Sequence, residues 1–196
     1  MQANQLSDIS VVQNGLRELS ELAARMAEQV DPAILKSAEL IANSMQNGGK
    51  LLACGNGGSA ADAQHFVAEF VGRLWHDRPS LPAVSLCVDP SIVTALGNDY
   101  GYENLFARQL EGVGKSGDVL LAISTSGRSA NILAALRTAH AKQIGTIALV
   151  GQGGDSLLDE CDVCIRIPSK NGQRIQELHM AVLHAICSLV ETQLGY

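Results

Sequence analysis

The chain has 196 residues, enough for one well-buried domain and short for two. Apolar residues make up 46% and charged ones 17%, which excludes a disordered chain, and the 4% of aromatics offers no stacking platform for single-stranded nucleic acid. A net charge of −6 gives no general basic surface, so nucleic acid is not an expected partner and an anionic ligand must be held by local donors.

The first thirty residues read as an amphipathic helix, with Leu16, Leu19, Leu22, Ala23 and Met26 at helical spacing. A second helix begins with Asp31 as N-cap and Pro32 at the first helical position, and it stops at Gly48-Gly49. Together these form a helical prefix, residues 1–48, to the domain over residues 49–196. An alternation follows: strand "KLLAC", a glycine turn, a helix from Ser59 to about Trp75, and strand "PAVSLCV". Then come strand "GDVLLAIS", turn "TSGRS", helix "ANILAALRTAHAKQ", strands "GTIALVG" and "DVCIRI", and a helix from about Arg174 to Leu194. Short apolar strands alternating with helices predict an α/β fold, a doubly wound parallel five-stranded sheet between helices. Ligands of such sheets sit at the carboxyl ends of strands, where both glycine–serine turns fall.

The last helix carries Ile175, Leu178, Met180, Val182, Leu183, Ile186, Leu189 and Val190 around nearly its whole circumference. A helix apolar all round needs cover on every side, so helices packed across the subunits of a homo-oligomer are expected; the alternative is a central helix buried within one subunit. Met1 is followed by polar residues, and no apolar run approaches the roughly 20 residues that span a bilayer, so a cytoplasmic protein without membrane contact is expected. The five cysteines, Cys54, Cys87, Cys161, Cys164 and Cys187, then read as reduced thiols. Cys161 and Cys164 form a C-x-x-C, but on a strand positions three apart face opposite sides, and no second pair completes a zinc site.

Four stretches carry chemistry. "GNGGS", Gly55 to Ser59, lacks the dinucleotide spacing and has no G-K-[ST]; what remains is a backbone that can approach a ligand as Ser59 enters a helix. "STSGRSAN", Ser124 to Asn131, gathers the hydroxyls of Ser124, Thr125, Ser126 and Ser129 between a strand and a helix start. Free N–H groups and the helix dipole favour an anion there, so a phosphate ester needs no lysine or arginine. The plainer reading is a helix cap and a Ser/Thr turn. His65 and Glu69, at i and i+4, share a helical face, which suits two ligands of one divalent metal, an acid–base pair or a surface ion pair. In "RIQELHMAVLHAI", Gln176, Glu177, His179 and His184 interrupt a greasy helix. Gln176 and His184 lie ~12 Å apart along an ideal helix, so one ion meets both only if the helix is irregular or subunits share the site. His179 is a competing ligand or a supporting group.

In this order, "CGNGGSAADAQHFVAEF", "GNDYG", "GDVLLAISTSGRSANI" and "RIQELHMAVLH" resemble the sugar-isomerase (SIS) domain family over nearly the full chain, and within it the isomerases of a seven-carbon sugar phosphate. The resemblance implies conversion of D-sedoheptulose 7-phosphate to D-glycero-D-manno-heptose 7-phosphate, the first step towards ADP-heptose for lipopolysaccharide. It also implies a homotetramer with sites between subunits and one zinc per site, held by His65, Glu69, Gln176 and His184. Substrate contacts would fall on Asn56, Gly57, Gly58, Ser59, Glu69, Asn98, Asp99, Ser124, Thr125, Ser126, Ser129 and Gln176. For the enediol chemistry, Glu69 is expected to remove the carbon proton and His184 to handle protonation. A non-catalytic SIS-domain adaptor that binds a replication initiator is the alternative. That relative lacks an acid and a histidine at the positions matching Glu69 and His184, and both are present here. Gln173 replaces an acid found in some isomerase members.

Overall fold

The computed structural model describes residues 2–196, with side chains from residue 8 onward. Helices α1 (Gln2–Glu28) and α2 (Pro32–Gln46) lead into strand β1 (Leu51–Gly55) and helix α3 (Gly58–Val71). Strand β2 (Ala83–Ser85) is followed by helices α4 (Pro90–Tyr100) and α5 (Leu105–Val113). Strand β3 (Val119–Ser124), helix α6 (Ala130–Ala141), strands β4 (Gly145–Gly151) and β5 (Val163–Ile167), and helix α7 (Gly172–Gln193) complete the chain. The expected α/β sheet is present: five parallel strands in the order β2-β1-β3-β4-β5.

Period-two alternation divides the core. Leu51, Ala53, Leu121, Ile123, Ile147 and Leu149 face α2, α3 and α7, while Leu52, Cys54, Leu120, Ala122, Ala148 and Val150 face α5 and α6. Both faces are therefore dry, and each fully buried Leu or Ile contributes about 1.5–3 kcal/mol of transfer free energy. Asp31 caps α2 as expected, its carboxylate accepting the N–H of Ala33 at 2.9 Å. Helix α4 begins with the same device: Asp89 accepts from Ser91 and Ile92, and Pro90 follows it. That Asp-Pro signal stands in the sequence before α4, which together with α5 was not anticipated.

Four expectations need correction. Helix α3 ends at Val71 rather than near Trp75, because Gly72 terminates it. The strand expected over "PAVSLCV" is three residues long and lies at the sheet edge. Helix α7 does not require other subunits to cover it: Ile175, Leu178, Val182, Leu183, Ile186 and Val190 are buried by this chain, and only a stripe through Glu177, Ala181, Ala185 and Thr192 is exposed. Finally, Cys161 and Cys164 do not face opposite ways. Strand β5 begins only at Val163, so the alternation does not extend back to Cys161, and both cysteines pack against the core on the α6 side. All five cysteines are free thiols. Among the described residues, no helix is long and apolar enough to cross a membrane.

His179, read as a ligand or supporting group, lies wholly buried in α7 with neither ring nitrogen in a hydrogen bond, although the backbone of Val150 is near. Burial disfavours the imidazolium and pushes its pKa down to about 4. The unfolded chain takes up this proton near pH 6.5 and the folded chain only near 4, so stability is lost as pH falls through that window. His179→Leu removes this dependence. The advantage of the variant over the parent should grow by about 2 kcal/mol between about pH 7.5 and about pH 5, read from urea unfolding at both. An unchanged difference would show that the folded chain accommodates the proton.

Candidate active site

The strand order places a topological switch point between β1 and β3, whose connections leave in opposite directions and open a crevice at their carboxyl ends. The glycine turn follows β1 and the seryl turn follows β3, so the two sit on either side of that crevice. Gly57 has φ +57°, a conformation only glycine adopts without strain, and it delivers the chain into α3. At Gly58 a Cβ would stand within 3.0 Å of three atoms of the Gln176 amide, so the missing side chain is what lets α7 bring Gln176 against the start of α3.

Across the crevice the two turns are tied together. The amides of Asn56 and Asn131 donate to each other's oxygens, both at 2.9 Å, and the Tyr102 hydroxyl donates to the same Asn56 oxygen at 2.9 Å. Asn56 therefore holds the glycine turn, the seryl turn and the segment after α4 in one arrangement. Asn98 and Asp99 lie on exposed α4 just before that segment, with Asn98 donating to Asp99 at 2.7 Å. In the seryl turn the Ser124 hydroxyl accepts from the Gly127 N–H at 3.1 Å and lies 3.4 Å from that of Ser129. Ser129 occupies the N-cap position of α6, yet its side chain makes no capping bond. The plainer reading of the seryl turn thus fails at Ser129, whose hydroxyl leaves the first N–H groups of α6 to another acceptor. Thr125 is half-buried and Ser126 exposed, whereas Ser59 is almost wholly buried under Gly55.

Along α3, Gly58, Asp62, His65 and Glu69 fall at i, i+4, i+7 and i+11, one face of the helix. His65 Nε2 lies 2.9 Å from Glu69 Oε1 and 3.3 Å from His184 Nε2. One donor atom from each of His65, Glu69 and His184 lies within 4.8 Å of the others. Two imidazole nitrogens cannot both satisfy one another and the carboxylate in this geometry without a shared proton or cation. Two imidazoles and a carboxylate are also a donor set that suits a borderline divalent ion such as zinc. Gln176 stands apart from this trio along the helix: its amide lies against Gly58, and His65 is seven residues further on, ~10 Å along the axis. Helix α7 is regular throughout, so the irregularity that would bring Gln176 and His184 to one point is absent. Asp62, not anticipated, has a buried Oδ2 without a partner, and desolvation raises its pKa to about 6 against the pull of His65.

Two further residues set the relation of α3 to α7. Arg78 donates through Nε to Glu191 at 2.7 Å, and through Nη1 and Nη2 to the carbonyls of Phe70 and Glu69 at 2.9 and 2.7 Å. Both side chains are essentially inaccessible, at 0% and 1% exposure. Neither stands out in the sequence, because they are 113 positions apart and each alone resembles a surface charge.

The fold is that of a SIS domain: a family model described as "SIS domain" matches residues 16–151. A phosphoheptose isomerase from Roseiflexus sp. is 48% identical over 174 residues, covering 89% of this chain and 88% of its own. The solved phosphoheptose isomerase of Neisseria gonorrhoeae superposes with a TM-score of 0.88 at 39% identity, covering 93% of this chain and 98% of that one. The Francisella tularensis phosphoheptose isomerase gives a TM-score of 0.90 at 36% identity, with 94% and 98% covered. The chain belongs to the SIS-domain family and, within it, to the phosphoheptose isomerases.

Removing one partner of the buried Arg78–Glu191 pair strands the other charge. Arg78→Met should cost roughly 3–5 kcal/mol of unfolding free energy, and Arg78→Met with Glu191→Leu should recover most of it. Chemical denaturation of both variants checks this; a double variant as unstable as the single one would refute the pairing as the cause.

Proposed function

We propose that this protein interconverts D-sedoheptulose 7-phosphate and D-glycero-D-manno-heptose 7-phosphate through an enediol, at the crevice between the glycine and seryl turns. The observation that carries the reading is the convergence of His65, Glu69 and His184 beside a crevice whose far wall offers uncapped helix N–H groups. The phosphate sits on the seryl turn, held by Ser124, Thr125, Ser126 and Ser129 and the amino end of α6, which fixes the reacting carbons relative to α3. Glu69 Oε1 faces His65, and among the described residues no group bonds Oε2. Glu69 takes the proton from C1 of the ketose while His184 gives one to O2. Glu69 then returns its proton to C2, and the O1 proton passes back to His184. Asn56, Gly57, Gly58, Ser59, Asn98, Asp99 and Gln176 complete the substrate contacts in this reading.

His65, Glu69 and His184 would hold a divalent ion, zinc by its donor preferences, with Gln176 as fourth ligand where subunits meet. Such an ion, when bound, polarises the carbonyl and diol oxygens. A homotetramer with shared sites is supported by α1, where Ile9, Val12 and Leu16 make an exposed apolar stripe at i, i+3 and i+7. Helix against helix between copies is the natural cover for it. The adaptor reading gains nothing from the structure that the enzyme reading lacks.

Incubating the protein with D-sedoheptulose 7-phosphate should yield the aldose phosphate. Glu69→Gln should lower kcat by about 10²–10⁴-fold with the oligomer intact, and substantial remaining turnover would exclude it as the base. Ser124→Ala with Ser126→Ala removes two hydroxyls worth about 0.5–1.5 kcal/mol each, so KM should rise by about tenfold; an unmoved KM places the phosphate elsewhere. Metal analysis of protein purified without chelator should give one divalent ion per chain, lost in His65→Ala. An ion-free active preparation would remove the metal from the reading.

A further inference from the structure

Hydroxyls and a helix dipole can hold an anion at the seryl turn, and the structure sets two cations beside them. Arg128 lies within the turn itself, and Lys170 stands in the loop that leads into α7. With Thr125, Ser126, Gly153 and Ser169 they line one cavity of about 370 Å³. Both side chains are exposed, and among the described residues neither makes an ion pair or a side-chain hydrogen bond. The neighbouring arginines are engaged: Arg166 with Asp155 at 2.6 Å, and Arg174 with Glu177 at 2.9 Å. A backbone frame sets where the two free cations stand. The Thr125 carbonyl accepts the Gly151 N–H at 3.1 Å, and the Ser169 carbonyl accepts the Gln152 N–H at 3.0 Å. The end of β4 thus joins the seryl turn to the loop before α7. A Cβ on Gly127 would meet the Gly154 Cα at 2.5 Å, so the two turns rest backbone on backbone. Beside that contact, the Arg128 guanidinium lies over Gly153, 3.7 Å from where a Cβ would stand.

We propose that Arg128 and Lys170, neither among the contacts assigned above, draw in and clamp the phosphate of the substrate; this rests on the isomerase reading of the seryl turn. A guanidinium offers a planar fork that two phosphate oxygens meet at once, and an ammonium adds a compact point charge. The turn is set up to work with them. Ser126 Oγ accepts the Arg128 N–H at 3.3 Å, which leaves its own proton to donate to an anion in the cavity. Of the carboxylates on adjoining segments, Asp155 pairs with Arg166, and Glu18 accepts from the Asn171 amide at 3.1 Å. Charge gives the two cations their purpose. A chain of net charge −6 repels a phosphate dianion at long range, so a local pair of cations is what turns its approach favourable. The attraction is exposed to solvent, and added salt therefore weakens it.

The test measures turnover and anion binding side by side. With D-sedoheptulose 7-phosphate, Arg128→Gln and Lys170→Gln should each raise KM about tenfold while kcat stays within about twofold. Arg128→Lys, which keeps the charge and loses the fork, should fall between. Lys142→Gln, at the far end of α6, removes the same charge and should leave KM in place. Added sodium chloride should raise the KM of the parent more steeply than that of the double variant, Arg128→Gln with Lys170→Gln. Calorimetric titration with inorganic phosphate separates the clamp from the reading beneath it. Phosphate bound by the parent and lost in the double variant upholds the clamp even where no sugar phosphate is turned over. An active parent whose KM and phosphate affinity survive the double substitution overturns the clamp and leaves the isomerase reading standing. A parent that neither binds phosphate nor turns over the sugar overturns both.

Discussion

The site depends on one relation, the parallel packing of α3 against α7. At its start the missing side chain of Gly58 admits the Gln176 amide, and at its end the buried Arg78 guanidinium joins the last carbonyls of α3 to Glu191 of α7. Between these two clasps the contacting residues keep a nearly constant offset: His65 and His184 are 119 positions apart, Leu74 and Glu191 117. Were α7 to slide by one turn, His184 would move ~5 Å and leave the trio. A salt bridge of this kind is weak evidence for net stability, because two charges are desolvated to form it. Its worth here lies in register: a guanidinium with three occupied nitrogens accepts one arrangement of its neighbours.

The second constraint is electrostatic. An acidic chain that takes a phosphorylated substrate must hold it by local donors, and in the proposed reading the seryl turn would supply helix and hydroxyl dipoles with Arg128 beside them. The seryl turn keeps Ser124 within reach of Ser129 and leaves the first turn of α6 without a side-chain cap, so hydroxyls and N–H groups converge beside the exposed Arg128 of the same turn. The reciprocal Asn56–Asn131 amides hold this cradle at a set distance from α3. Because Asn56 spends its oxygen on Asn131 and Tyr102, a ligand at the glycine turn would be met mainly through backbone and through the second amide hydrogen.

How much of this could be read beforehand follows from what is local. The five strands, the glycine and seryl turns and the His65–Glu69 spacing are local patterns, and each recurs in the structure. The resemblance of four motifs supplied His184. Asp62 was within reach as well, three residues before His65 on the same face, but it lacked a pattern to mark it. Arg78, Glu191, Tyr102 and Asn131 were out of reach, since each acts through a partner at least 46 positions away. The error over α7 has a physical cause too. Apolar periodicity measures how much of a helix wants cover, not whose side chains provide it, and here α2, α3 and the sheet suffice on all but one stripe of small and polar residues.

That stripe and the trio bear on one another. His65 is half-exposed while Glu69 is mostly covered, so in a single chain the trio opens to water chiefly on the His65 side. Proton transfer at carbon through an enediol gains from water exclusion, because every electrostatic interaction in the site strengthens as the local dielectric falls. The residues of α7 left uncovered, Glu177, Ala181 and Ala185, lie on the helix that carries His184 and are mostly small enough for close approach of another backbone. Meanwhile the apolar stripe of α1 asks for a partner of its own. In the proposed reading, a second copy seated on α7 would take water from the trio, and assembly would then be part of the chemistry rather than an addition to it.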